Sequence, residues 1–193
     1  MIDACIGRRS HSFNPYTLYR SKVIQTQPVY GRTMPVSNHP IFRIGVIADT
    51  HNLLRPGALS ALEGSDHIIH AGDIGKPEIL ERLREIAPLT VVRGNNDTDD
   101  WAQTLPETAT LRFGEVDLYV IHILQDLVID PAAEGIRVVI CGHSHKPKRE
   151  EREGVLYFNP GSPGPRRFKL PVSLGRLTIQ GTEVNAELIT LEV

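Results

Sequence analysis

The sequence predicts an α/β fold in which two β-sheets pack face to face with helices outside. Three observations support it. Short apolar runs recur through residues 42–193, helical patterns separate only the first few of them, and the last two runs alternate apolar with polar residues. FRIGVIAD (42–49) is an apolar run closed by a carboxylate, as in a strand covered on both faces. Pro56, Ala58, Leu59, Ala61 and Leu62 predict a short helix, and HIIHAGD (67–73) a second strand. In KPEILERLREIAP (76–88), Pro77 suits the first helical position and Ile79, Leu80, Leu83 and Ile86 share a face. Glu78 and Arg82 are spaced i,i+4, and Pro88 ends the helix. LTVVRGNND (89–97) repeats the pattern of strand and polar cluster. This rhythm predicts parallel strands. TATLRF (108–113), DLYVIHI (117–123), RVVICG (137–142), VLYFNPGS (155–162), VSLGRLTIQ (172–180) and EVNAELITLEV (183–193) read as further strands. A weak helical stretch is expected at 130–135, and a hairpin around Gly181-Thr182.

With 193 residues, 40% of them apolar, the chain suits one compact domain with a real core. Its net charge of −2 implies no nucleic-acid or membrane partner. The charge is uneven: residues 1–40 carry five basic side chains and one acid, residues 41–193 carry 16 and 22. The cysteines, Cys5 and Cys141, make no disulfide framework, so a reducing cytoplasm is the expected compartment. No run reaches the ~20 apolar residues of a membrane span. Residues 1–40 lack the apolar core of a secretory signal and only loosely resemble a transit peptide. They are expected to be a disordered or non-native extension, with Met34 as an alternative start, and 41–193 to be the domain.

Five polar clusters each follow an apolar run. They are Asp49-Thr50-His51, Gly72-Asp73, Gly94-Asn95-Asn96-Asp97, His122 and Gly142-His143-Ser144-His145. Ligand sites of open α/β sheets gather beyond the carboxyl ends of strands, so these ends can meet at one rim. Glycines there allow tight turns and close backbone approach. His143 and His145, two apart, would project the same way from an extended segment. Carboxylates, an amide and imidazoles together suit a borderline divalent ion, and the lack of a cysteine cluster excludes a structural Cys-rich zinc site.

In order, D-T-H, G-D, G-N-N-D, a lone His, G-H-S-H and N-P-G-S resemble the calcineurin-like metallophosphoesterase superfamily over roughly residues 42–193. Within it, the chain is most similar to the small single-domain bacterial and archaeal phosphodiesterases and the related retromer subunit. The resemblance implies a four-layer α/β/β/α sandwich. It also implies one metal on Asp49, His51, Asp73 and His145 and a second on Asp73, Asn95, His122 and His143, with Asp73 shared. Two divalent transition-metal ions are expected, manganese first, with iron, nickel, cobalt and zinc as alternatives.

Two positions depart from the family pattern. Asn96 stands where many members have a histidine, and Ile123 where a glycine usually follows His122. Asn96 is expected to contact the leaving group or phosphate, although an amide is no general acid at neutral pH. Arg166 is a candidate phosphate contact, against a reading of Arg166, Arg167 and KPKR (146–149) as solvated surface. His70 is expected behind the ligands, His67 in solvent, His11 and His39 in the tail, and Cys141 as a small buried hydrophobe.

The expected function is hydrolysis of a phosphate ester, most of all a diester, by a metal-bridging hydroxide. The rival is a catalytically weak metal-binding scaffold of the same fold that works through protein contacts. A small phosphodiester or nucleotide is the expected substrate and nucleic acid is not, while a homo-oligomer is left open.

Overall fold

Ile41–Ile47 (β1) is apolar on both faces and sits at the centre of a sheet. The computed structural model describes residues 39–192. The expected N-terminal extension, with Cys5 and His11, therefore lies outside the described residues except for His39 and Pro40. Beside β1 run His67–His70 (β2) and Leu89–Val91 (β3), both parallel to it. Pro56–Leu62 (α1) and Pro77–Arg84 (α2) make the two crossovers, each with a proline in its first turn, where no backbone donor is needed. Ser173–Gln180 (β9) and Glu183–Thr190 (β10) form the predicted hairpin and complete the order β10-β9-β1-β2-β3.

The second sheet repeats the plan. Val116–Ile121 (β5), Ile136–Ile140 (β6) and Val155–Asn159 (β8) are parallel, and Thr108–Phe113 (β4) and Lys148–Arg152 (β7) flank them antiparallel. The order is β4-β5-β6-β8-β7. KREER has no apolar alternation, which is why β7 was not predicted. As an edge strand it borrows its hydrogen bonds from β8, and its charges discourage pairing with another chain. The expected helical stretch at 130–135 is a turn. Asp130 caps it by accepting from the amides of Ala132 and Ala133, and Gly135, at φ +75°, ends it before a second turn can form.

The inner faces meet through Ile44, Val46, Ile69 and Val92 from one sheet and Leu118, Val120, Ile140 and Phe158 from the other. Helices α1 and α2 cover the outer face of the first sheet with Ala58, Leu62, Ile79, Leu80 and Leu83. Over the outer face of the second, a short 3₁₀ turn and the residues after it contribute Leu124 and Leu127. The two-sheet α/β sandwich is as predicted, with both described α-helices on the first sheet and a short 3₁₀ helix on the second.

The consequence for function is directional. Three parallel strands in each sheet put six carboxyl ends along the rim where the sheets meet.

Phe158 is fully buried between the sheets, and its ring fills the space that a side chain on Gly175 would need. Phe158→Ala is expected to lower unfolding stability by about 3–5 kcal/mol in chemical denaturation.

Candidate metal centre at the strand ends

Each of the six parallel strands runs straight into a chemically equipped turn. After β1 come Asp49 and His51, after β2 Asp73, and after β3 Asn95, Asn96 and Asp97. After β5 comes His122, after β6 His143 and His145, and at and beyond the end of β8 Asn159 and Ser162. Asp49, His51, Asp73, His143 and His145 all have left-handed backbone, with φ between 43° and 67°. Non-glycine residues rarely adopt this conformation, and each instance costs on the order of 1–3 kcal/mol. The turns thus hold strain that aims the side chains inward.

The chemical groups converge. Asp49, His51 and His145 offer ligand atoms within 4.8 Å of one another, and Asp73, His122 and His143 do the same. Asp73 lies between the two sets, with Oδ2 3.6 Å from His51 Nε2 and Oδ1 3.3 Å from His122 Nε2. The side-chain oxygen of Asn95 lies 3.1 Å from His122 Nε2 and 2.8 Å from His143 Nδ1. All seven predicted ligands are therefore brought together. His143 and His145 go to different sets, His143 through Nδ1 and His145 through Nε2. This is the division between two neighbouring sets that the resemblance implies, reached with left-handed rather than extended backbone at both residues.

Close approach is built in by glycine. A Cβ on Gly94 would stand 2.2 Å from both the backbone nitrogen and Oδ1 of Asp73. Behind the ligands, Asp97 is almost fully buried and accepts from the amides of Ile74, Gly75 and Gly94, tying the turn after β2 to the turn after β3. Asn159 donates to the Gly142 carbonyl and the Ser144 hydroxyl, and Ser162 donates to the Asp49 carbonyl. Asp97 was not singled out from the sequence. Its signal was the carboxylate at the end of G-N-N-D.

His70 is fully buried behind the site, as expected. Its Nδ1 accepts from the Gly72 amide, so Nε2 donates to Thr50, whose hydroxyl donates to the Ile74 carbonyl. His67 is not simply solvated: it is half-buried, bonded to Thr90 at 2.8 Å and edge-on to Phe113. The parallel pairing of β2 with β3 brings Thr90 within reach. His39 lies 3.6 Å from Glu115. Cys141 is buried, and burial pushes its thiol up to about 11.

Asn96 gives both its backbone and side-chain N–H groups to Asp73, at 2.8 and 2.6 Å. Arg166 is exposed on the loop after β8. Its neighbour Arg167 is the one whose guanidinium reaches the site, 3.4 Å from His51 Nε2. Ile123 is half-buried beside His122.

Burial pushes the Asp49 carboxyl up to about 7, opposed by His122 and reinforced by the charge of Asp73. Burial also works against ionised Asp73, but hydrogen bonds from His122 and Asn96 outweigh it and hold that carboxyl well below the usual range. His122 is shifted the other way: burial disfavours its cation, yet the bond to Asp73 raises it. Burial lowers His51, and burial together with Arg167 and His51 lowers His145 to about 4. Both imidazoles are neutral at pH 7, and their Nε2 atoms face each other at 3.0 Å. His122 Nδ1 donates to the Ala71 carbonyl, which turns Nε2 inward. Asp49 Oδ2 and His145 Nδ1 are buried without a hydrogen-bond partner. Opposed nitrogens and under-satisfied carboxylate oxygen fit divalent cations, and the oxygen and nitrogen donors suit borderline transition metals.

The family model of the calcineurin-like phosphoesterase superfamily domain matches residues 42–182. The chain is 34% identical to a probable metallophosphoesterase of Methanothermobacter thermautotrophicus over 76% of this chain and 91% of that one. It is 31% identical to the phosphodiesterase YfcE of Escherichia coli over 52% of this chain and 58% of that one. Among solved structures, an archaeal phosphodiesterase superposes with a TM-score of 0.64 at 22% identity, over 77% of this chain and all of that one. Wild-type Vps29 of Entamoeba histolytica, complexed with zinc, gives 0.60 at 23% identity over 77% and 99%.

If a divalent ion binds here, the raised Asp49 and His122 would have to give up their protons, so loading with Mn²⁺ is expected to release protons below neutral pH and fewer as the pH rises. Calorimetry in buffers of different ionisation enthalpy reads this directly, and affinity rises with pH over the same range.

Proposed function

The chain belongs to the calcineurin-like phosphoesterase superfamily, and from that premise we propose that it is a metal-dependent phosphodiesterase. The observation that carries the reading is the Asp73 carboxylate, set with one oxygen towards each of two histidine-bearing donor sets. Asp49, His51, Asp73 and His145 would hold one ion, and Asp73, Asn95, His122 and His143 the other. Manganese is the first choice; iron, cobalt, nickel or zinc suit the same donors, and the zinc complex of Vps29 supports that range. Two such ions supply Lewis acidity at phosphorus and an activated water for in-line displacement.

The chain's own groups do the rest. Asp97, Asn159 and Ser162 hold the ligand-bearing turns in register. Asn96 anchors Asp73 and gives up free donor capacity to do so, and its amide cannot deliver a proton to a leaving group at neutral pH. Leaving-group protonation is therefore not supplied from position 96. Relatives named phosphodiesterase favour a diester substrate, and a small one suits a single domain spanning residues 41–193 with residues 1–40 as an extension. A cytoplasmic setting accords with the free Cys141; among the described residues no helix is long and apolar enough to cross a membrane.

The likeness to Vps29, with Ile123 and Asn96, supports a second reading: a scaffold of the same fold that works through protein contacts. The convergence of seven candidate ligands supports a metal site under either reading, so the two readings part on hydrolysis.

With Mn²⁺ the protein is expected to hydrolyse bis(p-nitrophenyl) phosphate faster than p-nitrophenyl phosphate. Asp73→Ala and His143→Ala are each expected to lower kcat/KM roughly 100-fold or more. A loaded wild type that is inert on both esters favours the scaffold. With an amide rather than an acid at position 96, the enzyme's rate on aryl methyl phosphates is expected to fall steeply as the leaving-group pKa rises.

A further inference from the structure

The loop between β8 and β9 carries the run Arg166-Arg167-Phe168-Lys169, three cationic residues and one aromatic in succession. Both ends of the loop are pinned. Ser162 pairs with Val172, and its hydroxyl donates to the Asp49 carbonyl. Arg55 donates to the carbonyls of Pro163 and Gly164. Gly164 lies so close to Thr50 that a Cβ would stand 2.4 Å from the Thr50 carbonyl oxygen. A fixed base of this kind presents its tip at the mouth of the metal centre.

At the tip, the Arg167 guanidinium is 3.4 Å from His51 Nε2, while Phe168, the next residue, is 94% exposed. Phe168 also has left-handed backbone, φ 53°, which a bulky side chain rarely adopts. A single exposed apolar residue needs no explanation by itself. One held in an uncommon conformation, flanked by cations and chained to a guanidinium already on the site, is placed to meet a ligand. Guanidinium forks match phosphate oxygens, and an exposed ring offers a face on which a base can stack.

We infer that the Arg167–Phe168 tip selects a nucleotide-bearing phosphodiester, Arg167 holding the non-bridging phosphate oxygens and Phe168 stacking on a base. The inference rests on the phosphodiesterase reading and narrows its substrate class. It also names side chains by which this domain would discriminate among small diesters. The acidic balance of residues 41–193 does not oppose it, because the positive charge is needed only at the mouth.

The test compares thymidylyl-thymidine with glycerophosphoglycerol, a diester without a ring, on Mn²⁺-loaded wild type, Phe168→Ala, Phe168→Tyr and Arg167→Ala. Phe168→Ala is expected to raise KM for the dinucleotide about tenfold more than for glycerophosphoglycerol, and Phe168→Tyr to restore it. Arg167→Ala is expected to raise KM for both. Equal effects of Phe168→Ala on the two diesters, or none, overturn the inference. A parallel binding titration uses the phosphorothioate analogue of the dinucleotide. If the wild type cleaves neither diester, the titration alone decides the inference, while hydrolysis of bis(p-nitrophenyl) phosphate separately decides the phosphodiesterase reading. Tenfold weaker binding to Phe168→Ala supports it, and unchanged binding ends it.

Discussion

Two buried carboxylates, Asp49 and Asp73, stand beyond the ends of adjacent parallel strands, where each disfavours the charge of the other. Asp73 has the His122 imidazole and two donors from Asn96. Asp49 has the His143 amide at 3.2 Å and imidazoles that are neutral at pH 7, while its second oxygen has no partner. In a low-dielectric setting such a pair is costly unless something positive joins it. A divalent ion would resolve the conflict, and much of the surrounding structure serves to hold the two carboxylates where they are.

The fold supplies the force for that. Two parallel triplets pack their apolar inner faces together, so six strand ends meet along one rim whatever the turns contain. The turns then take strained left-handed conformations that an isolated peptide would not hold. Asp97 prevents relaxation in one direction by tying three amides from two turns, and Asn159 and Ser162 prevent it in the other. Core burial, which has no direction of its own, is converted into the direction of seven side chains.

Much of this was legible in the residues, and the exceptions have physical reasons. Strands that are apolar on both faces announce themselves, and the polar clusters after them marked the rim. β7 did not, because KREER owes its conformation to pairing with β8 rather than to burial. His67 appeared solvated because its partner, Thr90, arrives from a strand more than twenty residues later. The choice between Arg166 and Arg167 depends on how one loop turns, which no periodicity records. Asp97 looked like one polar residue among several because its role lies in backbone amides distant in sequence.

His143 and His145 show where spacing alone would mislead. It suggests shared direction, which holds for extended chain only. Left-handed backbone at both positions breaks that rule and sends one imidazole to each donor set, one through Nδ1 and the other through Nε2. A straight strand end would have aimed both rings at one point and left the other set a histidine short. The strain at this turn is therefore what allows a single four-residue segment to serve both halves of the centre. Gly142 makes the turn possible, since a Cβ there would collide with Ala48 and crowd the unpartnered oxygen of Asp49.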